Sequence, residues 1–174
     1  AVGEGEETLC ALLNALEKGA SLESIPGLAV RLGPDIRVNP RRPLIANIDD
    51  IPIPDRSLVP RADYFGNVLI TGRGCPFNCA YCASRTLWGR QVRLRSVDSI
   101  IAELKSLETA RLIREPFPGR DVVKIVDDTF TVSKSRTMKL LDRIIQSGLH
   151  CFEYTAGVRA DTLDEALVEK LKEA

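Results

Sequence analysis

One histidine, one tryptophan and one methionine occur in 174 residues, and aromatic residues make up only 5% of the chain. With His150 alone, a metal site built on two or more histidines cannot be assembled from this sequence. There is no charge excess, since 24 Lys and Arg balance 24 Asp and Glu. A protein whose affinity came from neutralising nucleic-acid phosphates would carry a basic surplus, so no nucleic-acid partner is expected. No apolar run approaches the roughly 18 residues of a membrane span. No basic, apolar, small-residue leader opens the chain, and the expected home is the cytoplasm. What remains is ordinary globular composition, 44% hydrophobic and 28% charged, in a length that suits about one domain. The chain starts at Ala1 without Met and stops at Ala174 inside a helical pattern. It therefore reads as a fragment truncated at both ends.

Proline divides the chain. Seven of the ten prolines, Pro26 to Pro60, lie in the first 60 residues, where they favour an extended, wrapping arm. One helix fits ahead of them: Leu9, Leu12, Leu13 and Leu16 share a stripe, and Gly19 stops it. From Asn67 the texture becomes an alternation. Val68–Ile70, Val122–Val126 and Cys151–Val158 read as strands. Helices follow each, with stripes at Val97, Ile100, Ile101, Leu104 and Leu107, then at Met138, Leu141, Ile144 and Ile145. The last helix opens at Thr162, whose spacing to Glu165 matches a capping box. Alternating strands and helices imply an α/β fold with parallel βαβ units. Three units make about half of a barrel or a small open sheet, with chemistry at the carboxyl ends of the strands.

Cysteine is the informative residue. An odd five, Cys10, Cys75, Cys79, Cys82 and Cys151, in a chain without a secretion signal argues against a disulfide framework. Three of them stand as Cys75-Pro-Phe-Asn-Cys79-Ala-Tyr-Cys82, directly after the first strand of the alternation. Thiolates are soft ligands for zinc or for iron–sulfur clusters. Structural zinc wants four protein ligands, usually in two pairs, and no second pair is present. A CxxxCxxC triplet without a fourth cysteine suits a 4Fe-4S cluster with one iron left for a non-protein ligand. Cys10 and Cys151 read as core residues.

The stretch Thr71 to Cys82 resembles the signature of the radical S-adenosylmethionine (radical SAM) enzymes, in cysteine spacing and in the aromatic before the last cysteine. Gly3–Glu6, Ile51–Arg56, Asp127-Asp128-Thr129-Phe130 and Gly157–Asp161 are similar to the subfamily with an upstream cobalamin-binding domain. The resemblance implies that residues 1–62 end a cobalamin-binding domain and form a proline-rich arm. Residues 63–174 would be the amino-terminal half of a radical SAM partial barrel of the TIM type. Cys75, Cys79 and Cys82 would each hold one iron, and SAM would chelate the fourth. One electron would cleave SAM to methionine and a 5′-deoxyadenosyl radical. Tyr81 would lie near the adenine. Asp127-Asp128 stands where the family often has Gly-Gly-Glu, and would either receive the SAM amino group or cap the following segment. Arg159 would meet the SAM carboxylate or ribose, or form a surface salt bridge.

From Tyr64 to Val97 there is no Asp or Glu, while Arg73, Arg85, Arg90, Arg93 and Arg95 are present. Such a stretch would offset the charge of a reduced cluster, or would be a solvated basic face. Gly72 and Gly74 would let the backbone approach the cluster closely. The resemblance points to methyl transfer from cobalamin to an unactivated carbon of a small molecule, with flavodoxin or ferredoxin as electron donor. The alternatives are a cobalamin-independent enzyme such as a methylthiotransferase, or a non-catalytic iron–sulfur or zinc module.

Overall fold

A computed structural model describes residues 1–58, 67–109, 123–148, 152–154 and 157–174. The chain forms two compact units, Ala1–Ala46 and Asn47–Ala174. His150 and Cys151 lie outside the described residues.

The first unit holds helix α1 (Glu6–Glu17) and an antiparallel hairpin, β1 (Ala29–Leu32) with β2 (Asp35–Val38). The hairpin lies inside the stretch read as an arm. Its turn is Gly33-Pro34, with Gly33 at φ 62°, and the alternating Ala-Val-Arg-Leu and Asp-Ile-Arg-Val runs are its sequence signal. The leucine stripe of α1 forms, but Leu9, Leu13 and Leu16 are each more than half exposed. Cys10 is exposed beside them, so it is not a core residue. Polar groups do the tying here. Thr8 Oγ1 donates to the Pro26 carbonyl at 3.1 Å, and Asn39 Nδ2 donates to the carbonyls of Leu22 and Ile25 at 3.0 and 2.9 Å.

In the second unit three short strands form a parallel sheet in the order β3 (Asn67–Leu69), β6 (Val123–Ile125), β7 (Phe152–Tyr154). Helices α3 (Val97–Thr109), α4 (Lys134–Gln146) and α5 (Glu165–Glu173) follow β3, β6 and β7 in turn. Leu69, Val123 and Ile125 from the sheet pack with Ile100, Leu104, Leu140, Leu141, Ile144 and Leu167 from the helices into one apolar core. This is the expected α/β alternation, the opening part of a barrel. One detail differs: α5 is capped by Asp164, whose Oδ1 accepts from the Leu167 amide at 3.0 Å, and Thr162 belongs to the preceding 3-10 turn. Asp164 has the short carboxylate and extended backbone that an N-cap requires, so it displaces the capping box read from Thr162.

Between β3 and α3 the chain makes a two-residue ladder, β4 (Gly72–Arg73) with β5 (Arg93–Leu94), and a short helix, α2 (Ser84–Trp88). The cysteine loop lies between β4 and α2. Below it, buried Glu103 on α3 accepts from Arg56 and from Arg95. Arg56 also donates to the Val68 carbonyl at 2.9 Å and Arg95 to the Ile70 carbonyl at 3.0 Å, which fixes the end of β3. Among the described residues, no helix is long and apolar enough to cross a membrane.

Candidate functional site: a three-cysteine loop at the strand ends

The carboxyl ends of β3, β6 and β7 converge through three consecutive residues after β6. Asp127 is buried; its Oδ1 accepts from the Thr71 amide at 2.6 Å and its Oδ2 from the Thr71 hydroxyl. Arg136 on α4 donates to the same hydroxyl at 2.9 Å and to the Thr71 carbonyl at 2.6 Å. Burial pushes the Asp127 carboxyl up from its ordinary value, against the opposing pull of Thr71 and Arg136. Asp128 is exposed and reaches both ends of the cysteine loop. Its Oδ2 accepts from the Gly74 amide at 2.9 Å, and its Oδ1 accepts from the Ser84 hydroxyl at 2.8 Å. Thr129 Oγ1 donates to Cys75 Sγ at 3.0 Å. Three neighbouring side chains therefore grip the residue before β4, the loop's two ends and its first sulfur.

Glycine makes the approach possible. Gly74 sits at φ 94°, and a Cβ there would overlap the Gln91 carbonyl. Gly157, at φ 81°, would likewise collide with the Asp127 carbonyl. The second close approach brings the segment after β7 against the end of β6, where the Phe130 amide donates to the Gly157 carbonyl at 2.6 Å. At Gly72 and Gly74 the absent Cβ leaves room for Leu94 and Gln91 of the facing segment.

Arg159 arrives by that route. Its Nη1 donates to Cys79 Sγ at 3.4 Å, its Nε and Nη2 donate to Asp161 at 2.9 and 2.6 Å, and its guanidinium lies 3.8 Å from the Phe77 ring centroid. The Asp161 carboxylate holds Arg159 more firmly protonated, and Cys79 adds in the same sense. The third sulfur, Cys82, accepts from the Ser84 amide at 3.5 Å. Each cysteine of the triplet thus has its own donor, from three separate segments. Tyr81 points out, 92% exposed.

The basic stretch divides by partner. Arg73 and Arg93 lie 5.9 and 5.6 Å from the Trp88 ring centroid, which makes Trp88 a packing residue. Arg85 donates to Asn78 Oδ1 at 2.7 Å, bracing the loop, and Arg95 is bound to Glu103. Sequence reading placed Thr129 and Asp161 only within stretches of resemblance, gave them no role, and missed Ser84; short hydroxyl and carboxylate residues have no periodicity to betray them.

The donor set is three thiols. Their loop brings no fourth cysteine, whereas structural zinc takes four protein ligands. A 4Fe-4S cluster takes each thiolate to a different iron, and hydrogen bonds to its sulfurs are a normal part of its surroundings. The residues present fit a cluster.

A parallel α/β half-barrel with a three-thiol loop at its strand ends defines the class. The profile of the Radical SAM superfamily matches residues 69–174, and the chain belongs to that superfamily. An uncharacterised methyltransferase of Pyrococcus horikoshii is 40% identical over 98% of this chain and 37% of its own length. The hopanoid C-3 methylase of Methylococcus capsulatus is 29% identical over 92% of this chain and 29% of its own. The chain thus spans about a third of the curated relatives it matches. In fold it is similar to the radical SAM methyltransferase TsrM of Kitasatospora setae, solved with cobalamin and a 4Fe-4S cluster. The TM-score is 0.64, at 22% identity over 84% of this chain and 30% of that one. The cobalamin-dependent SAM radical enzyme OxsB gives a TM-score of 0.69 at 21% identity, over 98% of this chain and 25% of that one.

Proposed function

We propose that the chain is the cluster-bearing part of a cobalamin-dependent radical SAM enzyme that transfers a methyl group to an unactivated carbon of a small molecule. The observation that carries the reading is the loop itself: three sulfurs at CxxxCxxC spacing, each accepting a separate hydrogen bond, on a loop held at both ends by Asp128. Cys75, Cys79 and Cys82 would hold three irons of a 4Fe-4S cluster and leave the fourth to SAM. When bound, cluster and SAM supply a one-electron reductive cleavage of the SAM carbon–sulfur bond, giving methionine and a 5′-deoxyadenosyl radical.

The chain's own residues prepare that site. Asp128 and Arg85 keep the loop in one conformation, so its thiols are ordered ahead of assembly. Within the aspartate pair the roles separate. Asp127 is buried against Thr71, which suits a brace; Asp128 accepts from Gly74 and Ser84 but is exposed, and is the carboxylate the SAM amino group could reach. Arg159 remains the candidate for the SAM carboxylate or ribose. Tyr81, exposed on the loop, is free to cover the adenine. Residues 1–62 would join the barrel to a cobalamin-binding domain, in keeping with the cobalamin bound by TsrM and OxsB. A low-potential donor such as flavodoxin or ferredoxin would deliver the electron in a reducing, cytoplasmic setting.

The test is anaerobic reconstitution followed by iron and sulfide analysis, with each of Cys75, Cys79 and Cys82 changed to Ala in turn. About four irons per chain in the parent, and loss of the intact cluster in every variant, is expected. Zinc in place of iron, or full iron in any of the three variants, would overturn the reading.

A further inference from the structure

Arg159 is held unlike the other arginines of the site. Nε and Nη2 engage one carboxylate, Asp161, in a two-point fork, and the remaining terminal nitrogen points at Cys79 Sγ. The ring of Phe77, inside the same loop, supports the guanidinium from its face at 3.8 Å. The backbone is fixed as well: the Arg159 carbonyl accepts from the Thr162 amide at 3.0 Å and from the Thr162 hydroxyl at 2.7 Å. Carboxylate, ring and turn thus leave the guanidinium one orientation. Because the Arg159–Asp161 pair is neutral as a whole, the sulfur meets a directed hydrogen bond and little net positive charge.

We infer that Arg159 is a positioning residue for the electron-accepting site, tuning the reduction potential through Cys79, with Asp161 setting how much positive charge the sulfur feels. The inference rests on the cluster reading above. Reduction adds one electron to a site that is already anionic, and a donor aimed at a ligating sulfur favours that state. The two members of the ion pair therefore act with opposite sign. Removing Arg159 takes away the donor and leaves the Asp161 carboxylate uncompensated, so reduction becomes harder. Removing the charge of Asp161 leaves the guanidinium uncompensated beside Cys79, so reduction becomes easier. An ion pair more than a Debye length from the site has no such signature, since its charges are screened from the potential.

The experiment is a potentiometric titration of the anaerobically reconstituted full gene product, read by electron paramagnetic resonance before any SAM is added. Measured so, contacts of Arg159 with SAM do not contribute. Arg159→Leu is expected to lower the reduced-to-oxidised ratio at fixed poise by about threefold to tenfold, tenfold being about 59 mV for a one-electron couple. Asp161→Asn is expected to shift it the other way by a smaller factor. Arg159→Lys, which keeps a charge but lacks the planar fork, should fall between parent and Arg159→Leu, and serves if the leucine variant does not load. Parent potential in Arg159→Lys and Asp161→Asn alike, or shifts of one sign for both ion-pair partners, would overturn the inference. A parent protein that binds no cluster would instead overturn the cluster reading on which it rests.

Discussion

Leu104 and Leu13 occupy apolar stripes of similar helical spacing and have opposite surroundings. Leu104 on α3 is fully buried in the core of the second unit, while Leu13 on α1 is 53% exposed. Periodicity reports which face of a helix is apolar; it does not report whether anything covers that face. The two units are accordingly held in different ways. The second rests on an apolar core with one buried ion cluster beneath the strand ends. The first buries only Ile25 and Leu28 among its described large apolar side chains, places Thr8, Asn39 and Glu4 inside as well, and ties its segments by hydrogen bonds. The cysteine loop belongs to the unit with the apolar core, and a packed interior resists small displacements.

That contrast can be broken at its strongest point. Glu103→Ala strands Arg56 and Arg95 without their shared carboxylate and should cost about 3–5 kcal/mol in chemical denaturation. Next comes Leu104→Ala, which opens a cavity in the core and should cost about 2–5 kcal/mol in the same assay. In the first unit, Asn39→Ala removes two hydrogen bonds and should cost about 1–3 kcal/mol, seen as faster amide exchange in β1 and β2.

Asp127 should show as a slope with pH. Its carboxyl is raised in the folded state by burial, so the folded protein holds that proton more tightly than the unfolded chain. The associated stability is complete below the ordinary 3.8 and is lost as pH rises through the raised value. Asp127→Asn removes the ionisation, and its denaturation midpoint should lack that component of the slope. Smallest of all, Leu13→Ala on the exposed stripe of α1 should change stability by under about 0.5 kcal/mol. A cost near that of Leu104→Ala would mean that the two units are built alike.

Much of the second unit was legible because its signals are periodic. Val122 to Val126 is a short stretch that is β-branched apart from Lys124, and the stripes of α3 and α4 repeat at helical spacing. The cysteine triplet was legible for another reason: three soft ligands within eight residues are a local pattern. The contacts that organise the triplet are not local. Thr129 lies 54 residues from Cys75 and Arg159 lies 80 from Cys79, and only the parallel sheet brings them together. Chain spacing likewise gave no way to divide the labour between Asp127 and Asp128, since consecutive residues at a strand end face different neighbours. The β1–β2 hairpin was obscured by its prolines, although Gly33-Pro34 is what turns it.

The proposed chemistry depends on an iron that no side chain occupies. The most direct measurement is the electron paramagnetic resonance spectrum of the reduced, reconstituted protein with and without SAM. The account predicts a signal whose g-values shift when SAM is added, since SAM would become a ligand of the cluster. A cluster signal identical in the two samples, at SAM concentrations well above those that saturate such sites, would contradict it.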